Sequence, residues 1–222
     1  MTVQLIPVLE IGYNKQNIPA PNKYPYWENA AVWDKYHQEC YLKAGFKDTL
    51  KPYLVGSSFH SLTEITNDNL MKLTKDHTED LRNGKYNREQ ASAFFGGYVL
   101  FIDGQDVFFP QCCGDLSDII YWEKIANGNE NAYYEGHPQP TIKIKDDTIT
   151  FDFSVEENDE PFQPTPPDTI LQVDRNSLKQ AVEYVKKELV NFSERLKRIN
   201  EAEQLNIVDI DKLLVWDNPN QT

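Results

Sequence analysis

The chain has 222 residues, of which 40% are hydrophobic and 26% charged, a composition typical of folded globular proteins rather than disordered ones. Its formal net charge of −13 disfavours direct binding to nucleic acids, because an acidic surface repels their phosphate groups. Three cysteines are too few for a secreted disulfide framework, and neither a signal peptide nor a run of about 20 apolar residues is present, so we expect a cytoplasmic protein without membrane contact.

The first elements predicted along the chain are a strand and a helix. Residues 3–11 are rich in β-branched and apolar side chains and predict a strand, in which Pro7 indicates an edge position or a bulge. Apolar and aromatic side chains recur at helical spacing over residues 27–44. One or two further helices are expected next, and Ser61 and Glu64 fit a capping box there.

Two antiparallel hairpins are predicted in the second half of the chain. Residues 98–102 and 106–109 flank an Asp-Gly turn, and both arms are rich in apolar side chains. Residues 141–144 and 148–153 alternate apolar and polar side chains around a pair of aspartates. We therefore expect at least one sheet with antiparallel strands.

A short helix, an acidic loop and a short strand complete the region around the hairpins. Asp115 or Ser117 can cap a helix that runs to Asn127. Residues 154–168 are acidic and proline-rich and predict an exposed, extended loop. Residues 169–173 then predict a short strand.

The longest predicted element is an amphipathic helix from Ser177 to about Glu203. Its apolar positions follow an unbroken heptad spacing; they are Leu178, Val182, Val185, Leu189, Phe192, Leu196 and Ile199. This seam, residues 178–199, can pack against the rest of the chain or against its copy in a dimer, and we favour the monomer because the sheet needs a cover. The sequence thus predicts one α+β domain over residues 1–222, with antiparallel hairpins and a long C-terminal helix.

Few motifs in the chain indicate catalysis or cofactor binding. There is no G-x-G-x-x-G and no Walker A sequence, so we predict no nucleotide cofactor and assign no catalytic residue. Cys112 and Cys113 precede a predicted helix start, where a thiol can become reactive, but the four histidines are all distant in sequence. In the alternative interpretation the two cysteines pack beneath the turn made by Gly114.

A zinc site is a further alternative. His37 and Cys40 are three residues apart on one helical face and could supply two ligands, while Cys112 and Cys113 could supply more. However, the chain has no C-x-x-C pair, and His37 lies on the apolar helix face, where a hydrogen-bonded core histidine is the more common outcome.

Acidic and aromatic residues are mixed in two segments, 103–137 and 154–168, which could form a surface for a basic protein partner. The predicted contact residues are Asp115, Asp118, Tyr121, Trp122, Glu156, Glu157, Asp159, Glu160 and Phe162. In the alternative interpretation the aromatic side chains belong to the core and the acidic side chains are merely solvated.

An acidic, aromatic-rich chain without catalytic motifs is similar in type to many bacterial toxin-immunity proteins. This resemblance covers no specific motif and implies no site residue. The sequence therefore predicts a non-enzymatic protein that binds a basic protein partner, such as an immunity-type inhibitor. The alternative is an enzyme or zinc protein centred on Cys112, Cys113 and a histidine.

Overall fold

The computed structural model describes residues 1–134, 136–154 and 160–216. Strands in these residues form two antiparallel sheets, and helices pack against them. The first sheet has the order β2-β1-β3-β4 and the second the order β5-β6-β7. The strands are β1 (Val3–Glu10), β2 (Phe59–Ser61), β3 (Gly96–Ile102), β4 (Gln105–Phe108), β5 (Thr141–Lys145), β6 (Thr148–Asp152) and β7 (Ile170–Asp174).

The first strand is central in its sheet, which corrects the predicted edge position for Pro7. β1 pairs with β3 along nearly its whole length and with β2 only from Val8 to Glu10. The Pro7 carbonyl accepts a hydrogen bond from the Leu62 backbone on the β2 side, just beyond the end of that short strand. The missing N–H of proline therefore falls where the ladder has already ended, so the sheet tolerates it.

Both predicted hairpins are confirmed. In the turn between β3 and β4, Asp103 and Gly104 have positive φ values of +48° and +92°. This is the backbone conformation that a two-residue hairpin turn of the favoured type requires. β5 and β6 form the second hairpin, and β7 adds to its other edge. The short strand predicted at residues 169–173 is therefore the third strand of this sheet.

The helices are α1 (Ala30–Ala44), α2 (Asn67–His77), α3 (Glu79–Arg82), α4 (Ile119–Ala126) and α5 (Arg175–Ala202). The predicted cap at Ser61 is wrong, because Ser61 belongs to β2 and the Thr66 side chain caps α2 by accepting a hydrogen bond from Asn69. The cap predicted at Asp115 is confirmed: its carboxylate accepts from the Ser117 backbone at the start of the 3₁₀ turn that leads into α4. None of the described helices is both long and apolar enough to cross a membrane.

The long C-terminal helix covers the centre of the fold, which confirms the predicted α+β class. α5 lies against β1 and α4, and all seven seam residues are buried in one core cluster that reaches both sheets. The described tail returns to this core, where Leu213, Leu214 and Val215 are buried. Other parts of the same chain therefore cover the apolar side chains of the seam.

Candidate functional site

Two adjacent thiols and one imidazole meet in the loop between β4 and α4. The Cys112 carbonyl accepts a hydrogen bond from the His137 backbone at 3.1 Å, so an isolated bridge holds the segment around residue 137 against the cysteines. The ligand atoms of Cys112, Cys113 and His137 all lie within 4.8 Å of one another. In the part of the chain that the structure describes, these three residues are the one group of His, Cys, Asp or Glu side chains close enough together to hold a metal ion.

Glycine at position 136 makes this close approach possible. Gly136 has a φ of +86°, and a Cβ there would lie 2.4 Å from the Cys112 carbonyl oxygen and 2.6 Å from that of Gln111. Both contacts are with backbone atoms, which cannot rotate away. Any larger residue would therefore push His137 away from the two cysteines.

The imidazole is oriented by a carboxylate. His137 Nδ1 lies 2.8 Å from an oxygen of Glu160, and Nε2 lies 3.8 Å from the Cys113 sulfur. When Nδ1 donates its proton to Glu160, the lone pair of Nε2 faces the thiols. The two sulfur atoms are 3.1 Å apart. The side chains thus form a chain from Glu160 through His137 to Cys113 and Cys112.

A buried glutamine fixes the segment that carries the carboxylate. The Gln111 side chain accepts a hydrogen bond from the Gln163 backbone at 2.9 Å and donates to the carbonyls of Phe109 and Gln163, at 2.8 and 3.2 Å. Because Gln111 is next to Cys112 in the chain, these bonds attach the Glu160 segment to the cysteine loop. Phe162 strengthens the attachment by packing into the core.

The electrostatics of the site are unfavourable for an isolated thiolate. The hydrogen bond with Cys113, partial burial and the negative charges of Glu10 and Glu160 raise the pKa of Cys112 to about 11. Cys113 has a φ of +71°, a conformation that a residue other than glycine rarely adopts and that often marks a functional site. The loop is therefore held in a strained conformation beside a cluster of negative charge.

The three side chains lie on the wall of an open cleft of about 880 Å³. His37 also lines this cleft but is not part of the ligand group, whereas Cys40 is fully buried in a separate cluster with Trp33 and Tyr36. The predicted set of four metal ligands is thus corrected: Cys112 and Cys113 converge, their third partner is His137, and His37 and Cys40 do not join them.

The predicted partner-binding residues do not form one exposed surface. Trp122 is 0% exposed, Phe162 6% and Asp118 3%, so these three belong to the interior and cannot contact a partner. The alternative interpretation, that the aromatic side chains are core, is correct for Trp122 and Phe162. Tyr121 and Asp115 are only partly exposed.

The acidic loop is described only in part. Glu156, Glu157 and Asp159 lie outside the described residues. Glu160 is exposed and bonded to His137. The prediction of a wholly exposed loop at 154–168 is corrected at Phe162, because this side chain fills a gap beside Phe108 and Phe153.

Sequence reasoning missed the roles of His137 and Glu160 in this site. His137 follows Cys113 by 24 residues, and Glu160 follows His137 by 23. No spacing rule for metal or catalytic motifs covers such distances. The available signal was glycine before the histidine, which marks a close backbone approach.

Comparison of the chain with protein-family models, curated proteins and solved structures finds no match. Function is therefore argued from the chemistry of the site itself.

Proposed function

We propose that this protein binds a thiophilic divalent metal ion, zinc in the first place, through Cys112, Cys113 and His137. The observation that supports the proposal is the convergence of two thiols and one imidazole within 4.8 Å, with a carboxylate on the far side of the imidazole. Thiolate and imidazole are the ligands that zinc prefers in proteins. The nearby carboxylates of Glu10 and Glu160 also favour a cation over an anionic ligand.

The distances fit zinc after a small adjustment. Tetrahedral zinc separates a sulfur and a nitrogen ligand by about 3.6 Å and two sulfur ligands by about 3.8 Å. Cys113 Sγ and His137 Nε2 are already 3.8 Å apart, whereas the two sulfur atoms are 3.1 Å apart. The Cys112 sulfur and the His137 nitrogen lie within 4.8 Å of each other, so the Cys112 sulfur has to move relative to both other ligand atoms, and rotation of this exposed side chain can supply that movement.

Glu160 has the role of an orienting residue in this proposal. Histidine ligands of zinc commonly donate their second N–H to a carboxylate, which fixes the ring and makes it more basic. Three protein ligands leave a fourth position, and the ligands line the cleft, so this position faces solvent or a bound molecule. An arrangement of this kind is typical of zinc sites that act on a ligand rather than of closed structural sites.

Elemental analysis of the protein purified without chelator tests the proposal. We expect about one zinc per chain in the wild type and well below one in Cys113→Ser and His137→Gln, because their weakened sites lose the metal during purification. Glu160→Gln should keep the metal but weaken its affinity by about 10- to 100-fold. Cys40→Ser is the matched control, because it removes a cysteine outside the site. Stoichiometric zinc retained in His137→Gln would contradict the proposal.

A second candidate is nucleophilic catalysis by Cys113, favoured by its distance to His137 and its positive φ. In this function His137 Nε2 takes the thiol proton while the sulfur bonds to a carbonyl carbon, and the C=O π electrons move onto the oxygen. When that oxygen re-forms its double bond, the leaving group departs with the proton from His137, and Glu160 keeps the imidazole oriented throughout. The rate of alkylation by iodoacetamide tests it. In Cys112→Ser the rate should fall when His137→Gln is added, and an unchanged rate excludes the imidazole as the base.

The protein-binding function predicted from composition remains a prediction. The charge of −13 supports attraction of a basic partner, but the buried aromatic residues of the predicted surface do not. Its test is salt dependence: association with a basic partner should slow steeply as ionic strength rises.

A further inference from the structure

Aromatic side chains also line this cleft and form what we call its aromatic wall. The rings of Tyr24 and Trp33 are 5.1 Å apart, and those of Tyr26 and Trp27 are 4.9 Å apart. All four residues line the cleft, and Tyr24 is 71% exposed. An exposed aromatic ring beside three others presents apolar area and electron-rich faces to a ligand.

The segment that carries these rings is fixed by hydrogen bonds. The Trp33 indole donates to the Lys23 carbonyl at 2.6 Å, and the Asn29 side chain donates to the Pro25 carbonyl at 3.0 Å. The aromatic wall is therefore attached to the start of α1 in two places. The backbone of this segment is therefore ordered before a ligand enters, which lowers the entropy cost of binding.

The charges on the cleft are negative. Glu10 and Glu160 both line the cleft, and the Glu10 carboxylate accepts a hydrogen bond from Ser58 at 3.3 Å. No lysine or arginine occurs among the described residues of the lining. Aromatic faces and carboxylates both attract cations, and this combination is the one that recognises ammonium and guanidinium groups.

A buried acceptor also lies in the lining. His37 is 7% exposed, and its Nδ1 has no hydrogen-bond partner among the described residues. Burial lowers the pKa of His37, and the ring hydrogen-bonds the backbone of Ser57. The ring is therefore neutral at pH 7, and the lone pair of Nδ1 is left unused beneath the lining.

We propose that the aromatic side of this cleft binds the side chain of a lysine or arginine presented by a protein partner. Tyr24 and the partly exposed Tyr26 and Trp27 provide the ring faces, and Glu10 and Glu160 provide the opposite charge. The site stands without a metal at Cys112 and Cys113. That the side chain comes from a protein rests on the protein-binding function predicted above.

Titration with single-residue model compounds tests the site directly. The probes are the Nα-acetyl methylamides of lysine, arginine and norleucine, the last having the lysine carbon chain without its charge. Indole N–H signals of Trp27 and Trp33, followed by NMR, should shift with lysine and arginine and saturate with a Kd of about 1–10 mM. If the uncharged norleucine compound shifted the same signals by the same amount, with the same titration midpoint, the proposal would be overturned.

Matched variants identify the groups responsible. Glu10→Gln and Tyr24→Ala should each lower the affinity for the lysine compound by about threefold to tenfold. Glu64→Gln, an exposed carboxylate outside the lining, should leave the affinity unchanged. Equal affinity in wild type and both cleft variants would overturn the proposal, provided that the amide spectra show folded protein.

A chelator separates this site from the metal site. Binding of the lysine compound should be the same with and without chelator, and binding that needs bound zinc would overturn the inference. If the lysine compound binds but no basic protein partner is found in cells, the site itself is supported. Only the protein-binding function is then contradicted.

Discussion

Replacement of Asp118 by asparagine should change how stability depends on pH. Asp118 is 3% exposed, and its carboxylate accepts a hydrogen bond from the Asp115 backbone at 2.9 Å. Burial, and secondarily the charge of Asp115, raise the pKa of Asp118 from 3.8 to about 8. The folded protein therefore holds a proton on this group at neutral pH that the unfolded chain has already lost. Asparagine is uncharged at every pH and can keep the hydrogen bond.

The sign and size of the effect follow from this difference. Since the pKa is raised on folding, the contribution of Asp118 to stability is fully present below 3.8 and is lost as pH rises towards about 8. Each unit of pH between these limits removes about 1.4 kcal/mol from the free energy of unfolding. Between pH 5 and pH 7, wild type should therefore lose about 3 kcal/mol relative to Asp118→Asn.

Urea unfolding at a series of pH values between 5 and 8 measures this difference. Comparison with the variant cancels the titration of groups that do not interact with Asp118, so the difference reports on Asp118 and its neighbour Asp115. Asp168→Asn serves as control for the loss of one negative charge at an exposed position. Equal pH dependence in wild type and Asp118→Asn would refute the assignment of a buried, protonated carboxyl group.

Three further changes have definite expected outcomes. Gly136→Ala should abolish zinc binding because its Cβ would lie 2.4 Å from a carbonyl oxygen, whereas Gly84→Ala, also at positive φ but with open space, should not. Leu189→Ala should lower the free energy of unfolding by about 2–5 kcal/mol, and the exposed Leu42→Ala by far less. Burial lowers the pKa of His60 to about 4, so stability should fall as pH drops from 6.5 to 4 in wild type and less in His60→Gln; calorimetry measures this.

Elements with local signals could be predicted from the sequence. The hairpin turn at Asp103 and Gly104 depends on residues that are adjacent in the chain, as does the cap at Asp115. The seam of α5 follows from periodicity alone, because all its members lie on one helical face. Such features need no knowledge of what the rest of the chain does.

Features that depend on distant pairing could not be predicted. Pro7 looked like an edge residue because proline removes one donor, but the length of β2, which decides whether that donor is needed, is set elsewhere in the chain. The cluster of Cys113, His137 and Glu160 is likewise assembled by a backbone bridge and by the side chain of Gln111. Gly136 indicates that the backbone passes close to another segment, but no local pattern identifies the partner in either contact.

Cobalt(II) substitution tests the central proposal, the metal site, most directly. Cobalt added to chelator-treated protein should give sulfur-to-metal charge-transfer absorption and the visible bands of a tetrahedral site, saturating at about one ion per chain. Removing one thiol with Cys112→Ser should reduce the charge-transfer intensity by about half, and His137→Gln should weaken binding while keeping that absorption. Cobalt that stays octahedral in wild type, with no charge-transfer band, would contradict the proposal that Cys112, Cys113 and His137 form a metal site.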